Sequence, residues 1–557
     1  TPLYSSAASD VYKRQVLYNY FKKGSNFYMN ISEFIEQGRA VLGMEFGSTR
    51  IKAVLTDDNG KVLATGHHNW ENRLQDGIWT YSEEDITGGL RACYASLAAD
   101  VYDKYNVYIT SLAALGFSGM MHGYIALDEN DNLLVPFRTW RNTITGEASA
   151  KLTSLFGFHI PQRWSVAHLY QAILNGEEHV AGIKYLTTLA GYIHYRLTGN
   201  KVMGVGEASG MFPIDSSACD YDRKYMEQFD ELIADRHYDW KLRDILPCVL
   251  TAGEDAGCLT DDGAALLDAS GKLKAGVHLC PPEGDAGTGM TATDAVGVRT
   301  GNVSAGTSVF AMVVLDKKLE KLHEELDMVT TPDGSPVAMV HCNNCTSDIN
   351  AWAGLFMDFA KCMGFKADTG KVYETLFTKA LEGSADCGGI VTCNYFSGEH
   401  ITGFDEGRPL VVRQPDSTLN IANFMKANIY SSIASLKIGL DILFKDEKVG
   451  LDRITGHGGF FKTPVAGQRI MAAAMNTPVT VMENAGEGGA WGMALLGLYM
   501  IHDKEYNSLG DFLDNRIFAD VRSTVISPVA EDVRDFDDYM DRYKETLKVE
   551  KAATEGC

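Results

Sequence analysis

The sequence predicts an α/β protein with more than one large domain and a cleft between domains. Three observations lead there. At 557 residues the chain exceeds a single core, since domains run to roughly 100–200 residues each. The order strand, helix, strand, loop runs from Val41 to Leu127, the rhythm of an α/β sheet. A strand, small-residue tip, strand device also occurs twice, once at the head of each half.

In chain order, Thr1–Gln15 show no periodicity, no initiator Met and no secretory apolar region, so residues 1–38 read as a disordered or expression-derived leader with a short lead-in. Met29 is a plausible start, and Ile31 to Gly38 lead into the first strand. Val41–Leu55 then reads as a hairpin whose tip is Gly47-Ser48-Thr49, and Asp57-Asp58-Asn59-Gly60 turns into a third antiparallel strand. The glycine allows close backbone approach, two hydroxyls can donate to phosphate oxygens, and Glu45 can face a hydrated metal ion. A polar turn on an edge hairpin would look the same.

Ser82-Glu83-Glu84-Asp85 caps a helix with apolar residues Ile86, Leu90, Cys93, Leu97 and Val101 at helical spacing. Ile109–Gly116 is expected to return as a strand, followed by the loop Ser118–Gly123 and a strand at Tyr124–Leu127. Loops at such sheet ends carry ligands, which singles out His122, although a lone histidine is more often structural. Phe137–Asn142 groups an aromatic with Arg138, Arg141 and Asn142, types that stack on and hydrogen-bond to a polyol or simply surround a packed Trp140.

Glu147 to about Leu246 is mostly helix-like, interrupted by the small-residue loop Glu207–Met211. Asp285 stands among Gly284, Gly287 and Gly289, where a carboxylate could be presented as a general base or could serve a tight turn. Gly301–Val313 repeats the opening hairpin with the tip Gly306-Thr307-Ser308. Ile429, Ile433, Leu436, Leu440 and Leu443 form one helical stripe. Ile454–Phe461 is a strand ending in Gly456, Gly458 and Gly459, suited to lie against a purine or ribose, with a helix from about Pro464 to Asn476. Asn484–Gly492, including Glu487, is a second small-residue surface leading into a helix. The tail from Asp511 reads as a loop and a charged helix.

Composition narrows the partners. A net charge of -23 argues against nucleic acid or an anionic membrane, and any anionic ligand would need local cations such as Mg²⁺. No run of about 18 apolar residues suggests a membrane span. Eleven dispersed cysteines are not a secreted disulfide framework and read as reduced cytoplasmic thiols; Cys342 and Cys345 invite a zinc or redox reading, but no second such pair completes a site.

In this order the motifs resemble the FGGY carbohydrate kinases, a branch of the sugar kinase, Hsp70 and actin superfamily, from about Val41 to Gly497. Val41–Lys52 is similar to that family's first phosphate motif, Gly306-Thr307-Ser308 to the second, Gly456–Gly459 to the adenosine motif, and Met121-His122-Gly123 to the sugar loop of its xylulose kinases. The resemblance implies two actin-like (ribonuclease H-like) α/β domains, 39–296 for sugar and 297–557 for nucleotide, closing over ATP. It implies Asp285 as base, and ATP contacts at Gly47, Ser48, Thr49, Lys52, Gly306, Thr307, Ser308, Gly456, Gly458, Gly459 and Glu487. Sugar contacts would come from Met121, His122, Trp140, Arg141, Asn142 and Asp285, with Mg²⁺ near Glu45 through water. A homodimer is the assembly considered.

Two departures stand out. Glu45 replaces the family's Asp with a longer carboxylate that would have to draw back, and Trp140 is followed by Arg141-Asn142 where xylulose kinases carry Asn-Asp. The second change replaces an acceptor with donors and opens the substrate to ribulose, rhamnulose or a glycerol-like polyol as well as xylulose. A non-catalytic nucleotide-dependent regulator is the rival reading. A serine hydrolase fails because Gly116–Met120 lacks the second glycine of a nucleophile elbow, and a dehydrogenase because no Gly-x-Gly-x-x-Gly opens an early βαβ unit.

Overall fold

The structure, a computed structural model, describes residues 30–483 and 488–556. The expectations for Thr1–Gln15, for Met29 and for Glu487 lie outside the described residues. The Asn30 side chain caps the helix Ile31–Glu36, and Phe34 and Ile35 are buried in the first core, so the short lead-in packs against the first sheet.

Two sheets organise the chain. The first has the order Glu283–Gly284, Ala114–Gly119, Val41–Phe46, Arg50–Thr56, Val62–Asn69. Val41–Phe46 pairs antiparallel with Arg50–Thr56 and parallel with Ala114–Gly119. The second sheet repeats that relation: Thr300–Ala305 pairs antiparallel with Val309–Val314 and parallel with Arg453–His457, and Pro336–Cys342 continues the antiparallel run. The tip–hairpin duplication read from sequence is therefore a duplication of sheet topology.

The helix Glu83–Tyr105 starts in the reciprocal Ser82/Asp85 capping box and lays Ile86, Leu90, Cys93, Leu97 and Val101 into the first core. Between the first sheet's strands lies a mainly helical insert with its own core around Trp164, Leu169 and Phe212. The strand expected at Ile109–Gly116 runs instead at Ala114–Gly119, because its six-residue parallel register with Val41–Phe46 fixes it there. The stripe expected as one helix is two, Ile421–Ser431 and Ala434–Asp441, with Ile433 buried at the break.

The chain then crosses back. The helix Gly488–His502, which follows the second sheet's strand Val479–Met482, packs on the first sheet, where Trp491, Met493, Ala494 and Leu496 share a core with Val41, Val54 and Ala114. A methyl at Gly43 would stand 2.1 Å from the Ala490 carbonyl oxygen and 2.4 Å from the Ala494 nitrogen, so the contact is backbone against backbone. The tail adds an edge strand, Ser523–Ile526, before the charged helix Ala530–Gly556. Among the described residues no helix is long and apolar enough to cross a membrane.

Candidate active site

The first hairpin tip is held from outside by aromatic side chains. Trp70 Nε1 donates to the Gly47 carbonyl (2.7 Å) and Tyr81 Oη to the Ser48 carbonyl (2.6 Å), while the two rings stack at 4.0 Å. In the second tip, Cys345 N–H donates to Thr307 O (2.9 Å), and Thr346 N–H and Oγ1 both donate to Gly306 O. In each tip the carbonyl oxygens are consumed by protein donors, which leaves the serine and threonine hydroxyls for a ligand. Cys342 and Cys345 are buried, burial pushes both thiols up, and neither belongs to a metal-ligating cluster among the described residues. They are packing residues in the segment that clamps the second tip.

Both tips meet one cavity of about 500 Å³ lined by Glu45, Ser48, Lys52, Asp285 and Ser308. Glu45 and Lys52 face each other in hairpin register, Nζ to Oε2 3.4 Å. Asp285 is the first residue of the helix Asp285–Thr291 and not a turn residue. Its side chain reaches solvent through the mouth of the cavity, yet it sits deep between the walls. That loss of hydration, together with the Glu45 anion, lifts its pKa to about 6 against the Met121 N–H, which donates to Oδ1 at 3.2 Å. Behind it lie two fully buried acids. Burial raises Glu283 to about 8 even though it accepts from the Gly206 and Glu207 N–H groups, and burial raises Glu207 as well.

Of the residues expected to hold sugar, Met121, His122, Trp140 and Asp285 line the cavity. Arg141 and Asn142 do not. Arg141 stacks over Trp79 at 4.0 Å and donates to Asn72. Asn142 is buried, with Oδ1 accepting from Trp79 N–H and Nδ2 donating to the carbonyls of Trp79 and Thr139, so its amide has nothing left for a substrate. The hydrogen-bond change expected from Arg141-Asn142 is thus absent from the site. Gly456 is buried against Phe461, whose ring would lie 2.5 Å from an added Cβ, so that glycine serves packing; Gly458 and Gly459 are exposed beside the second tip. Gly47, Thr49, Gly306 and Thr307 belong to the tips without lining the cavity itself.

Sequence reasoning missed Arg163, Asn302, His341 and His457, all on the cavity wall. Asn302 is fully buried and, among the described residues, neither of its amide atoms nor His457 Nε2 finds a hydrogen-bond partner, which leaves polar capacity facing the cavity. Their signal was weak: Asn302 reads as an interior strand residue and Arg163 as the lead-in to a helix.

Family models for this architecture match most of the chain: the N-terminal domain of the FGGY family of carbohydrate kinases over residues 40–272 and the C-terminal domain over 301–501. The chain belongs to the FGGY family of carbohydrate kinases. It is 23% identical over 477 residues to a xylulose kinase of Haemophilus influenzae, covering 82% of this chain and 90% of that protein. In fold it is similar to a xyloylose kinase from Brucella ovis (TM-score 0.74, 18% identity, 92% of this chain and 100% of that one). It is also similar to a gluconate kinase from Lactobacillus acidophilus (TM-score 0.71, 17% identity, 92% and 98%). The fold is thus the two-domain actin-like, ribonuclease H-like fold of FGGY sugar kinases, and this chain is a carbohydrate kinase that phosphorylates a sugar with ATP. Membership sets aside the reading as a non-catalytic nucleotide-dependent regulator.

Proposed function

We propose that this FGGY kinase transfers the γ-phosphoryl group of ATP to a hydroxyl of a ketopentose such as xylulose or ribulose, with Asp285 as general base. The observation that carries the reading is the convergence of Ser48, Ser308, Lys52 and Asp285 on one cavity. Relatives named as xylulose kinases favour the ketose.

In this reading the triphosphate lies between the two tips, where the Ser48 and Ser308 hydroxyls and Lys52 Nζ hold oxygens. The helix Gly488–His502 points its N-terminus at the cavity through Gly488 and Gly489, adding a positive partial charge. Met121 N–H occupies Asp285 Oδ1, so Oδ2 takes the proton from the sugar hydroxyl as its oxygen attacks the γ-phosphorus and the bond to the β-phosphate oxygen breaks. Residues 39–296 would hold the sugar and 297–557 the nucleotide, the returning helix excepted.

The residues fit Mg²⁺. Glu45 offers a hard carboxylate on the cavity wall, the ligand type that holds an ion bound mostly by phosphates and water. When bound there, Mg²⁺ would neutralise charge on the triphosphate. The extra methylene of Glu45 has room because position 489 is glycine: an added Cβ would stand 2.6 Å from Glu45 Oε1.

The test is coupled ADP release over a panel of xylulose, ribulose, rhamnulose and glycerol, with wild type and Asp285→Asn. At least one ketose should stimulate ADP release, and Asp285→Asn should lose roughly 10²- to 10⁴-fold in kcat while still binding ATP. A variant that turns over sugar normally would remove Asp285 from the role of base.

A further inference from the structure

The wall of the cavity made by His122, Arg163 and His341 is built across both lobes, and this inference rests on the kinase reading above. Two loops of the first lobe are joined there: Gly123 N–H donates to the Arg163 carbonyl at 3.1 Å, and the His122 ring stacks on Trp164 at 6.4 Å. His122 is held at φ +71°, a left-handed conformation uncommon for a non-glycine residue. Its Nδ1 lies 3.1 Å from the Gly210 carbonyl, which can only accept, so the proton is on Nδ1; burial keeps the ring neutral, and Nε2 presents a bare lone pair.

Arg163 supplies the opposite polarity. Its Nη2 donates to Asp327 Oδ2, and the remaining N–H groups carry no other hydrogen bond to the described residues. Asp327 comes from the second lobe, in the strand Asp327–Thr330, and is almost fully buried. His159 Nδ1 stands 3.6 Å from its other oxygen. The guanidinium is therefore aimed by a carboxylate that approaches from the far side of the cleft, and its charge is matched before any ligand arrives.

We propose that Arg163 is a sugar-selecting residue: it donates to an uncharged oxygen of the substrate next to a hydroxyl that donates to His122 Nε2, while Asp327 aims it and makes the wall refuse sugar acids. An unpaired arginine in a pocket binds a carboxylate through its fork. With Asp327 in place, an incoming carboxylate would meet a second carboxylate at the same guanidinium. Because Asp327 and Arg163 sit on different lobes, the selective wall exists only where the lobes meet.

The experiment is steady-state ADP release by the full chain with the best neutral ketose and with an aldonate, gluconate, as alternative acceptors. Wild type should use the ketose and leave gluconate essentially unphosphorylated. Arg163→Met should raise the ketose KM about 10- to 100-fold, the loss of a hydrogen bond from a charged donor, with the ATP KM unchanged within about twofold. Asp327→Asn should raise the ketose KM and improve kcat/KM for gluconate relative to the ketose by about tenfold or more. If removing one partner unfolds the protein, the double variant Arg163→Met/Asp327→Leu removes the pair together and should keep the raised ketose KM. Wild type that phosphorylates gluconate as well as the ketose, an unchanged ketose KM in folded Arg163→Met, or a parallel rise in ATP KM would overturn the proposal. Should no sugar stimulate ADP release from wild type, the kinase reading fails first and takes this one with it.

Discussion

The ionisation of Asp285 can be moved from outside. Its pKa stands near 6 because lost hydration between the cavity walls and the Glu45 carboxylate oppose its charge more than the Met121 and Ala286 N–H groups support it. Only the ionised form accepts a proton, so kcat/KM for the sugar should fall as pH drops through about 6, with about a tenth of full activity left at pH 5. Glu45→Gln keeps the shape and removes the anion. Its acid limb should move to lower pH, along with a lower plateau from the weakened phosphate end. The assay is kcat/KM for sugar between pH 4.5 and 8 at saturating nucleotide. The folded protein binds the Asp285 proton more tightly than the unfolded chain, so ionisation lowers stability as pH rises from the ordinary carboxylate range through about 6. Asp285→Asn should accordingly melt at or above the wild-type temperature at pH 8, which separates lost chemistry from lost fold. A wild-type profile flat from pH 5 to 7, or a Glu45→Gln limb displaced upward, would refute the account.

Gly43→Ala forces a methyl into the Ala490 backbone, so it should cost about 1–3 kcal/mol by overpacking and raise the ATP KM by shifting Gly488 and Gly489; melting and nucleotide kinetics read the two effects. Asn142→Ala unpairs the Trp79 backbone N–H and should lower stability by about 1–3 kcal/mol while leaving the sugar KM of the folded enzyme within about twofold, in contrast to a substrate contact. Trp140→Ala removes an indole from the cavity wall and should raise the sugar KM about fivefold, roughly 1 kcal/mol of ring contact, with no change in ATP KM.

Where local chemistry decides the structure, the sequence was readable. The Ser82 capping box, the two small-residue tips and the glycine-ended strand all lie where their residue types require. Partner surfaces decided the rest. Ala114–Gly119 has poor strand propensity and is buried on both faces; an added Cβ at Gly116 would stand 2.5 Å from Met493 and 2.6 Å from Cys280, so its glycines answer to neighbours distant in sequence. Ser523–Ile526 is a largely exposed edge strand with no alternating apolar face. Of the candidates named from motif context, Glu45, Ser48, His122 and Asp285 line the cavity. Arg163 was not, because its significance depends on Asp327 164 residues later. Asn142 was misplaced because an amide beside a tryptophan looks the same whether it serves a ligand or a backbone.

The returning helix has a consequence for any attempt to divide the protein. Trp491 Nε1 donates to the Gly60 carbonyl, and Arg516 clasps the Asp58 carbonyl, so late-chain residues stitch down the first lobe's own hairpin turn. A fragment cut near residue 297 would leave Val41, Val54 and Ala114 facing water, and the other piece would carry an orphan apolar helix. The two halves share their fate: neither is a spare part.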